Sequence, residues 1–486
     1  MTLERLIEIC NPLHVTNANY GIELGSLVID SREAEDHSVF IAVRGTRVDG
    51  HMFIEDAIER GASVVICEGS FYTNEDVCVI EVENTKELTG VIAQEFSSNP
   101  AEMLQVIGIT GTNGKTTTAT LVYQVLRTCG KNASLLGTVS KRILDDEFDS
   151  KLTTSDPIEL ANDMQKMVDA GSDYLVMEVS SHALDQYRVA GVPFKVAAFT
   201  NLSHDHLDYH ETLDEYAKAK RRLFDDLSDG SYAVINIDDK YGAYMLESCK
   251  ANKIELSFNN EKAYILENTA NGISIIIDGE KIESPLIGKF NAYNLGEAYY
   301  ICKVLGLDPK EIVKALSKAK GAPGRMETVS GSVDDSPLVI VDYAHTPDAL
   351  QNVLSTLSAV KDASQKLTVV FGAGGDRDSA KRPEMAKVSE LFADKVIVTS
   401  DNPRTENPDV IIADIIAGFD KLDKVSSITN RKEAIERVIH EAENNEIILI
   451  AGKGHEDYQE INGERHHFDD REIAAGLLQH KVAGGE

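Results

Sequence analysis

The stretch VIGITGTNGKTTTAT, residues 106–120, constrains this chain more than any other. LQVIGIT is a short apolar, β-branched run that reads as a buried strand. TTTATLVYQVLRTCG follows, with Leu121, Val122, Val125 and Leu126 at helical spacing and Gly130 as the stop. A strand, a tight Gly-containing turn and a helix start together aim backbone N–H groups and a helix dipole at a phosphate. Such a loop spans Gly111, Thr112, Asn113, Gly114, Lys115, Thr116 and Thr117. Lys115 would reach the terminal phosphates of ATP, and the Thr116 hydroxyl would sit on Mg²⁺. The spacing breaks the usual rule, however. G-x-x-x-x-G-K-[ST] requires glycine at position 109, where Ile109 stands, and Gly108 lies one residue too early. A plain strand-turn-helix junction with an exposed lysine is the competing reading, and the joint presence of strand, Gly-Lys-Thr and helix disfavours it.

A chain of 486 residues is too long for one core and predicts several domains. Its formal charge of −32, from 48 basic and 80 acidic residues, disfavours generic binding to nucleic acid or to an anionic membrane. A locally basic pocket for a small anion remains compatible with that charge. Six scattered cysteines without a CxxC pair predict reduced thiols and not a disulfide or zinc framework. The start MTLERLIEIC carries two acids and no long apolar core, unlike a signal peptide. No apolar run approaches the roughly 20 residues of a membrane helix. The expectation is a cytoplasmic protein with small-molecule substrates, no nucleic acid and no membrane insertion.

The fold class expected is α/β in three domains, with no internal repeat. Residues 1–98 hold short strands such as LVID and ASVVICEG around the helix HMFIEDAIERGA. Residues 99–327 carry the phosphate loop in a parallel sheet, alternate strands (YLVMEVSS, VAAFTNLS, YAVINID) with helices, and end in a β-rich patch, AYILENTANGISIIIDGEKIESPL. KGAPGRMETVSG reads as a turn-rich hinge. Residues 328–486 then present four apolar strands, each running into a polar loop: LVIVDYAHTPD, LTVVFGAGGDRD, KVIVTSDNPR and EIILIAGKGHE. Ligands of open parallel sheets bind outside the carboxyl ends of the strands, so this Rossmann-like domain is expected to have a site of its own.

Two stretches carry further chemistry. In TNLSHDHLDYH, the residues His204, Asp205, His206, Asp208 and His210 crowd one loop. They are either turn and surface residues or ligands of a hard cation. On the helix that follows, Leu213, Tyr216, Leu223 and Phe224 form an apolar stripe with Lys220 in its middle, while Lys218 and Arg222 point away. An inward lysine needs an anion or must lose its proton, unless its stem merely snorkels. Spacing alone does not separate these readings. YLVMEVSSHALDQYR ends a buried strand on Glu178, where a carboxylate could share the phosphate loop's metal. Ser180, Ser181 and His182 follow without a G-x-S-x-G elbow, so a nucleophilic serine is discounted.

The runs TGTNGKTT, TTSDP, MEVSSHAL, TNLSHDHLDYH, YAKAKRRLF, GKFNAYN, GRMETV, DYAHTPDAL, FGAGGDRDSAKRP, DNPR and AGKGHE, in this order, resemble the signatures of the Mur ligases. Within that family the resemblance is to the branch that adds the third residue of the peptide. It spans about Asp30 to Arg471 and accounts for the loop, whose glycine pattern resembles the Mur and folylpolyglutamate synthetase variant. It implies ATP-dependent phosphorylation of the terminal carboxylate of UDP-MurNAc-L-Ala-D-Glu, then attack by an amine on the acyl phosphate, in peptidoglycan precursor synthesis. It implies that Lys220 is carbamoylated and, with Thr116, Glu178 and His206, holds Mg²⁺. Lys115, Lys220, His206 and Glu178 are then the catalytic group. Asn294, Arg325 and Asp342 match positions that hold the nucleotide from the neighbouring domain. Ser31 matches a contact to the uridine part of the substrate. Thr153, Thr154, Ser180, Gln186 and Arg188 match contacts to the muramoyl-peptide part. A monomer is expected.

The stretch SDNPRTENP bears on the amino acid added. Meso-diaminopimelate differs from lysine by a carboxylate at the distal stereocentre, which calls for a planar bidentate donor. Arg404, after Asp401, Asn402 and Pro403, would supply it, and the resemblance implies the same. A local pair of Arg404 with Glu406 is the bland alternative. Arg382, Gly452 and Glu456 match the remaining contacts, with Glu456 suited to the distal ammonium. Two other functions compete: a folylpolyglutamate synthetase, against which the Ser31 block and DNPR count, and a nucleotide-binding switch that ligates nothing.

Overall fold

The apolar runs become the buried strands of three main sheets in the computed structural model, which describes residues 1–46, 48–73, 76–329 and 336–483. Contacts divide the chain into two compact units, Met1–Ser257 with Tyr300–Leu307, and Phe258–Tyr299 with Asp308–Glu486. Among the described residues no helix is long and apolar enough to cross a membrane.

The first unit holds two sheets. In the N-terminal one, Cys78–Val82, Val64–Glu68, Val39–Ile41 and Leu27–Val28 run parallel, with His14–Thr16 antiparallel at one edge. The helix read over residues 51–62 is split into a 3₁₀ turn, Gly50–Phe53, and an α-helix, Ile54–Glu59. The larger sheet runs in the order Asn252–Leu256, Tyr232–Asn236, Phe194–Phe199, Gln105–Thr110, Tyr174–Glu178, Ala133–Leu136, and ends in two short antiparallel strands. Gln105–Thr110 lies between two parallel neighbours and is apolar almost throughout, as a strand covered on both faces must be. Its helix is Lys115–Thr128, with Gly130 in the left-handed region beyond it.

The second unit contains the β-rich patch as an antiparallel sheet, Ala263–Thr269, Gly272–Ile277 and Glu280–Ser284. By contacts it groups with the strands that follow it in the chain. Ala270 joins the apolar core built on Leu338, Ile340 and Leu354. The remaining sheet runs Glu327–Thr328, Leu338–Asp342, Ile447–Ala451, Leu367–Phe371, Lys395–Val398 and Val425–Ser427. All its pairs are parallel except the first. Part of the expected hinge is therefore an edge strand, because Glu327–Thr328 pairs with Ile340 and Val341. The hinge's last two residues, 330 and 331, lie outside the described ones. A hairpin, Tyr458–Ile461 with Glu464–His467, follows the strand Ile447–Ala451.

Candidate functional site

The phosphate loop leaves the central strand and is fastened by the end of the next one. The Asn201 carbonyl accepts the Thr112 N–H (2.8 Å), and its side chain accepts from the Asn113 N–H and donates to the Asn113 carbonyl, both at 3.0 Å. Gly111 has φ 149° and a Cβ there would overlap the Thr200 hydroxyl, so only glycine makes this passage. Lys115 folds back over the loop and donates to the carbonyls of Gly111 (3.0 Å) and Thr112 (2.9 Å). Gly114 precedes the helix, whose first turn carries Thr116 and Thr117.

Glu178 ends its strand 1% exposed. Its carboxylate accepts the Thr116 hydroxyl (2.9 Å), the Thr138 hydroxyl (3.1 Å) and the Thr138 N–H (2.7 Å). Lys220 lies on the helix Leu213–Asp225, among buried Tyr216, Ala217, Leu223 and Phe224, so the inward position read from the stripe is the one observed. Its Nζ donates to the Gly111 carbonyl at 2.8 Å and sits 4.4 Å over the Tyr216 ring. The two lysines thus share one carbonyl. Burial, and then the charge of Lys115, hold the Lys220 amine well below the ordinary lysine range. Of the two outcomes open to an inward lysine, this environment favours the neutral amine, with the Asp205 charge pulling the other way.

The histidine loop divides. His210 is buried, hydrogen-bonded to the Ser181 hydroxyl (3.0 Å) and packed against Tyr216 with ring centres 5.2 Å apart. His206 lies edge-on to His182, 4.9 Å between ring centres. Burial lowers its pKa against the opposing pull of Asp205, and Lys115 and Lys220 lower it further. His182 is pushed down to about 4, by burial first and by His206 second. Among the described residues no three His, Cys, Asp or Glu side chains converge as a metal cluster. In the crowded loop His204, Asp205 and Asp208 are exposed, and His210 makes a structural contact.

A connected network leads away from Glu178. Its backbone carbonyl accepts the Thr154 hydroxyl (2.9 Å), which in turn accepts the Ser180 N–H (3.0 Å). Ser180 caps the short helix Ser181–Asp185. Arg188 donates to the Thr154 carbonyl (3.0 Å) and to the Gln186 side chain (2.7 Å). Thr153 shares a hydrogen bond with Thr138 at 3.0 Å. Ser31 stands on the N-terminal sheet, at the start of the turn Ser31–Glu33, and hydrogen-bonds Asp56.

The remaining candidates belong to the second unit. Asn294 lies on the helix Lys289–Val304 and donates to Asn291 at 2.8 Å. Asp342 ends its strand and accepts the N–H groups of Met326 and Ala344, each at 2.7 Å. Burial pushes its pKa up against the pull of Arg325, whose guanidinium lies 4.8 Å over the Tyr343 ring.

Asp401, Asn402, Pro403 and Arg404 follow the strand Lys395–Val398 and meet the loop after Ile447–Ala451. Gly452 has φ 122°, and a Cβ there would stand 2.5 Å from the Asp401 carboxylate. Asn402 donates to Glu456 at 2.9 Å. Arg404 is left-handed (φ 50°), bridged by its backbone to the hairpin strand at Ile461. Its guanidinium donates to the Gly375 carbonyl (2.9 Å) and lies 3.5 Å from Glu460. Glu406 is taken by Arg382, at 2.9 Å through both carboxylate oxygens, so the local pair weighed for Arg404 does not form. Arg382 also holds Asp414 (2.9 Å), and its buried Nε has no hydrogen-bond partner among the described residues.

Sequence reasoning missed Lys453, fully buried among Asn402, Glu456 and Tyr458, and Glu460 beside Arg404. A lysine two residues past the wholly apolar strand Ile447–Ala451 was the available signal for the first. Nothing local signalled the second.

Three family models match successive parts of the chain: Mur ligase family, catalytic domain, over residues 23–104; Mur ligase middle domain over 109–302; and Mur ligase, glutamate ligase domain, over 324–454. UDP-N-acetylmuramoyl-L-alanyl-D-glutamate--2,6-diaminopimelate ligase of Parabacteroides distasonis is 45% identical over 460 residues, 93% of this chain and 94% of the relative. A solved structure of an enzyme of that name is 34% identical, with TM-score 0.73, covering 98% of this chain and 99% of the other. A folylpolyglutamate synthase of Mycobacterium tuberculosis, solved with ADP and AMPPCP, shares the fold at 18% identity (TM-score 0.59), over 82% of this chain and 95% of the other. With its loop, its buried carboxylate and its ordered signatures matched over most of its length, this chain belongs to the Mur ligase family.

Proposed function

We propose that the protein is an ATP-dependent amide ligase that adds meso-2,6-diaminopimelate to UDP-MurNAc-L-Ala-D-Glu, as a cytoplasmic monomer supplying peptidoglycan precursor. The observation that carries the reaction type is a pair of neighbouring strand ends where a glycine loop, a buried carboxylate and two amines sharing the Gly111 carbonyl come together. That donor set fits a polyphosphate and a hard cation: hydroxyl, carboxylate and imidazole from Thr116, Glu178 and His206, with the Lys220 amine ready to become a carbamate. A neutral amine attacks the carbon of CO₂, loses one proton and becomes an anion, which would sit beside Lys115 where an ammonium is disfavoured. Mg²⁺, held by these four groups, supplies neutralisation of phosphate charge when bound.

Lys115 stabilises charge on the phosphoryl group as it moves from ATP to the terminal carboxylate of the nucleotide-peptide. The amine of diaminopimelate then attacks the acyl carbon, an amide bond forms and phosphate departs. Ser31 serves the uridine part, and Thr153, Thr154, Ser180, Gln186 and Arg188 serve the muramoyl-peptide part. Asn294, Arg325 and Asp342 serve the nucleotide. Arg404 reads the distal carboxylate, assisted by Arg382, Asp401, Asn402, Pro403, Gly452 and Glu456. On this reading residues 1–98, 99–327 and 328–486 divide the substrate, ATP and amino-acid roles.

Mass spectrometry tests the reading. Incubation with UDP-MurNAc-L-Ala-D-Glu, ATP and diaminopimelate should give a product heavier by one diaminopimelate residue. Lys115→Ala should remove that product, at a cost of about 10²–10³-fold or more in rate, while the protein stays folded. Full activity in folded Lys115→Ala would sink the loop assignment, and ATP hydrolysis without any coupled product would favour the nucleotide switch.

A further inference from the structure

We infer that Lys453 is a positioning residue for amino-acid selection, holding both arms of the diaminopimelate-reading site in register. The inference rests on the reading that Arg404 and Glu456 recognise the amino acid. Lys453 is 0% exposed, and its Nζ donates to the Asn402 side-chain oxygen at 2.9 Å, to the Tyr458 carbonyl at 2.6 Å and to Glu456 at 3.5 Å. Asp401 lies 3.6 Å away. Long polar side chains are almost never this deeply buried unless their donors are used, and here they join separate segments of chain.

The first arm runs through Asn402. Its oxygen accepts two donors, Lys453 Nζ and the Glu460 N–H at 3.0 Å. With that face spent on acceptance, the amide must turn its NH₂ the other way, and there it donates to Glu456 at 2.9 Å. Asn402 therefore orients a carboxylate, and Lys453 orients Asn402. The second arm runs through Tyr458, the first residue of the hairpin strand Tyr458–Ile461. That strand fixes the backbone of Arg404: its N–H donates to the Glu460 carbonyl (3.1 Å) and its carbonyl accepts the Asn462 N–H (2.7 Å). One buried Nζ thus ties the cation that reads a carboxylate to the carboxylate that reads an ammonium. Recognition of a zwitterionic stereocentre depends on the distance between those two groups, and Lys453 sets it.

The test uses the full-length enzyme and compares diaminopimelate with lysine as substrates of the parent and of Lys453→Met. The Michaelis constant for diaminopimelate should rise about 10- to 100-fold, the scale of a reading group displaced by about 1 Å, and the preference over lysine should narrow equally. The constants for ATP and for the nucleotide-peptide should hold within about twofold, a split that general damage to the fold would not give. Hydrogen exchange at the Glu460 and Asn462 amides should quicken in the variant. If Lys453→Met fails to melt cooperatively, Lys453→Gln, which keeps a donor at shorter reach, carries the same comparison and should show the same narrowing. An unchanged preference in a folded variant overturns the inference while leaving the function standing. A parent enzyme that does not prefer diaminopimelate removes the functional reading itself.

Discussion

Lys220 and Lys453 are both fully buried lysines, and their surroundings are opposite. Among the described residues Lys220 has one carbonyl, shared with Lys115, and an aromatic face. Lys453 has a side-chain amide oxygen, a backbone carbonyl and a carboxylate within 3.5 Å. The first is a poorly satisfied amine beside a phosphate loop, and burial disfavours its charged form. The second is a satisfied donor at the junction of two loops. Burial alone does not tell reagent from brace. The partner list does: an amine short of acceptors is available for chemistry, and one supplied with them is committed to geometry.

The largest expected effect breaks the Lys220 side of this contrast. Lys220→Ala should lose ligation, and bicarbonate or small carboxylates should partly restore it by supplying the missing anion. Lys220→Arg should stay inactive, because a guanidinium does not form the carbamate. Wild-type turnover in either variant, measured as product formed per minute, would remove Lys220 from the chemistry.

Arg404→Ala comes next. It would leave the distal carboxylate of diaminopimelate desolvated and unpaired, at about 2–5 kcal/mol. That corresponds to roughly 30-fold to several thousand-fold in the Michaelis constant at about 1.4 kcal/mol per tenfold. Lysine should be used no worse by the variant than by the parent. An unchanged diaminopimelate constant would pass the role to another residue, and Arg382 is a weak heir because Glu406 and Asp414 already hold it.

A smaller effect sharpens the comparison through stability alone. Lys453→Met would strip acceptors of a buried donor and should cost about 1–3 kcal/mol. Lys220→Met removes an amine whose one carbonyl keeps Lys115 as donor and whose burial disfavours its charge, so it should cost less than Lys453→Met. Urea melts of the two variants decide it, and equal losses would erase the distinction.

An effect confined to acid pH concerns His455, whose pKa burial pushes down from 6.5 to about 4, with Arg325 and Arg471 adding to the shift. The unfolded chain takes up a proton near pH 6.5 that the folded chain refuses until about pH 4. Stability from this group is therefore complete above pH 6.5 and is lost as pH falls towards 4. His455→Gln should flatten the decline in melting temperature across that window. An identical slope in both proteins would assign the acid sensitivity elsewhere.

What was legible in the sequence follows from the range of the interactions involved. The phosphate loop and the inward Lys220 rest on local spacing, a strand running into Gly-Lys-Thr and a lysine inside a 3.6-residue stripe, and both stand where the spacing puts them. The strand ends of the last sheet were equally readable, because each apolar run stops at a polar loop. The bracing of Arg404 by Glu460, and of Asn402 by Lys453, joins residues about fifty positions apart in sequence, and no periodicity encodes that. Glu327–Thr328 looked like turn because its pairing partner, not its composition, makes it a strand. In the histidine loop local spacing is equally silent: nothing in it marks His210 as the residue that makes a packing contact.

Phosphate release, measured with ATP and UDP-MurNAc-L-Ala-D-Glu present and the amino acid varied, tests the central claim most directly. The account predicts rapid release with meso-diaminopimelate, little with lysine, and background without an amino acid. Release at one rate in all three mixtures would contradict it, because the nucleotide would then be spent with no amine to capture the acyl phosphate.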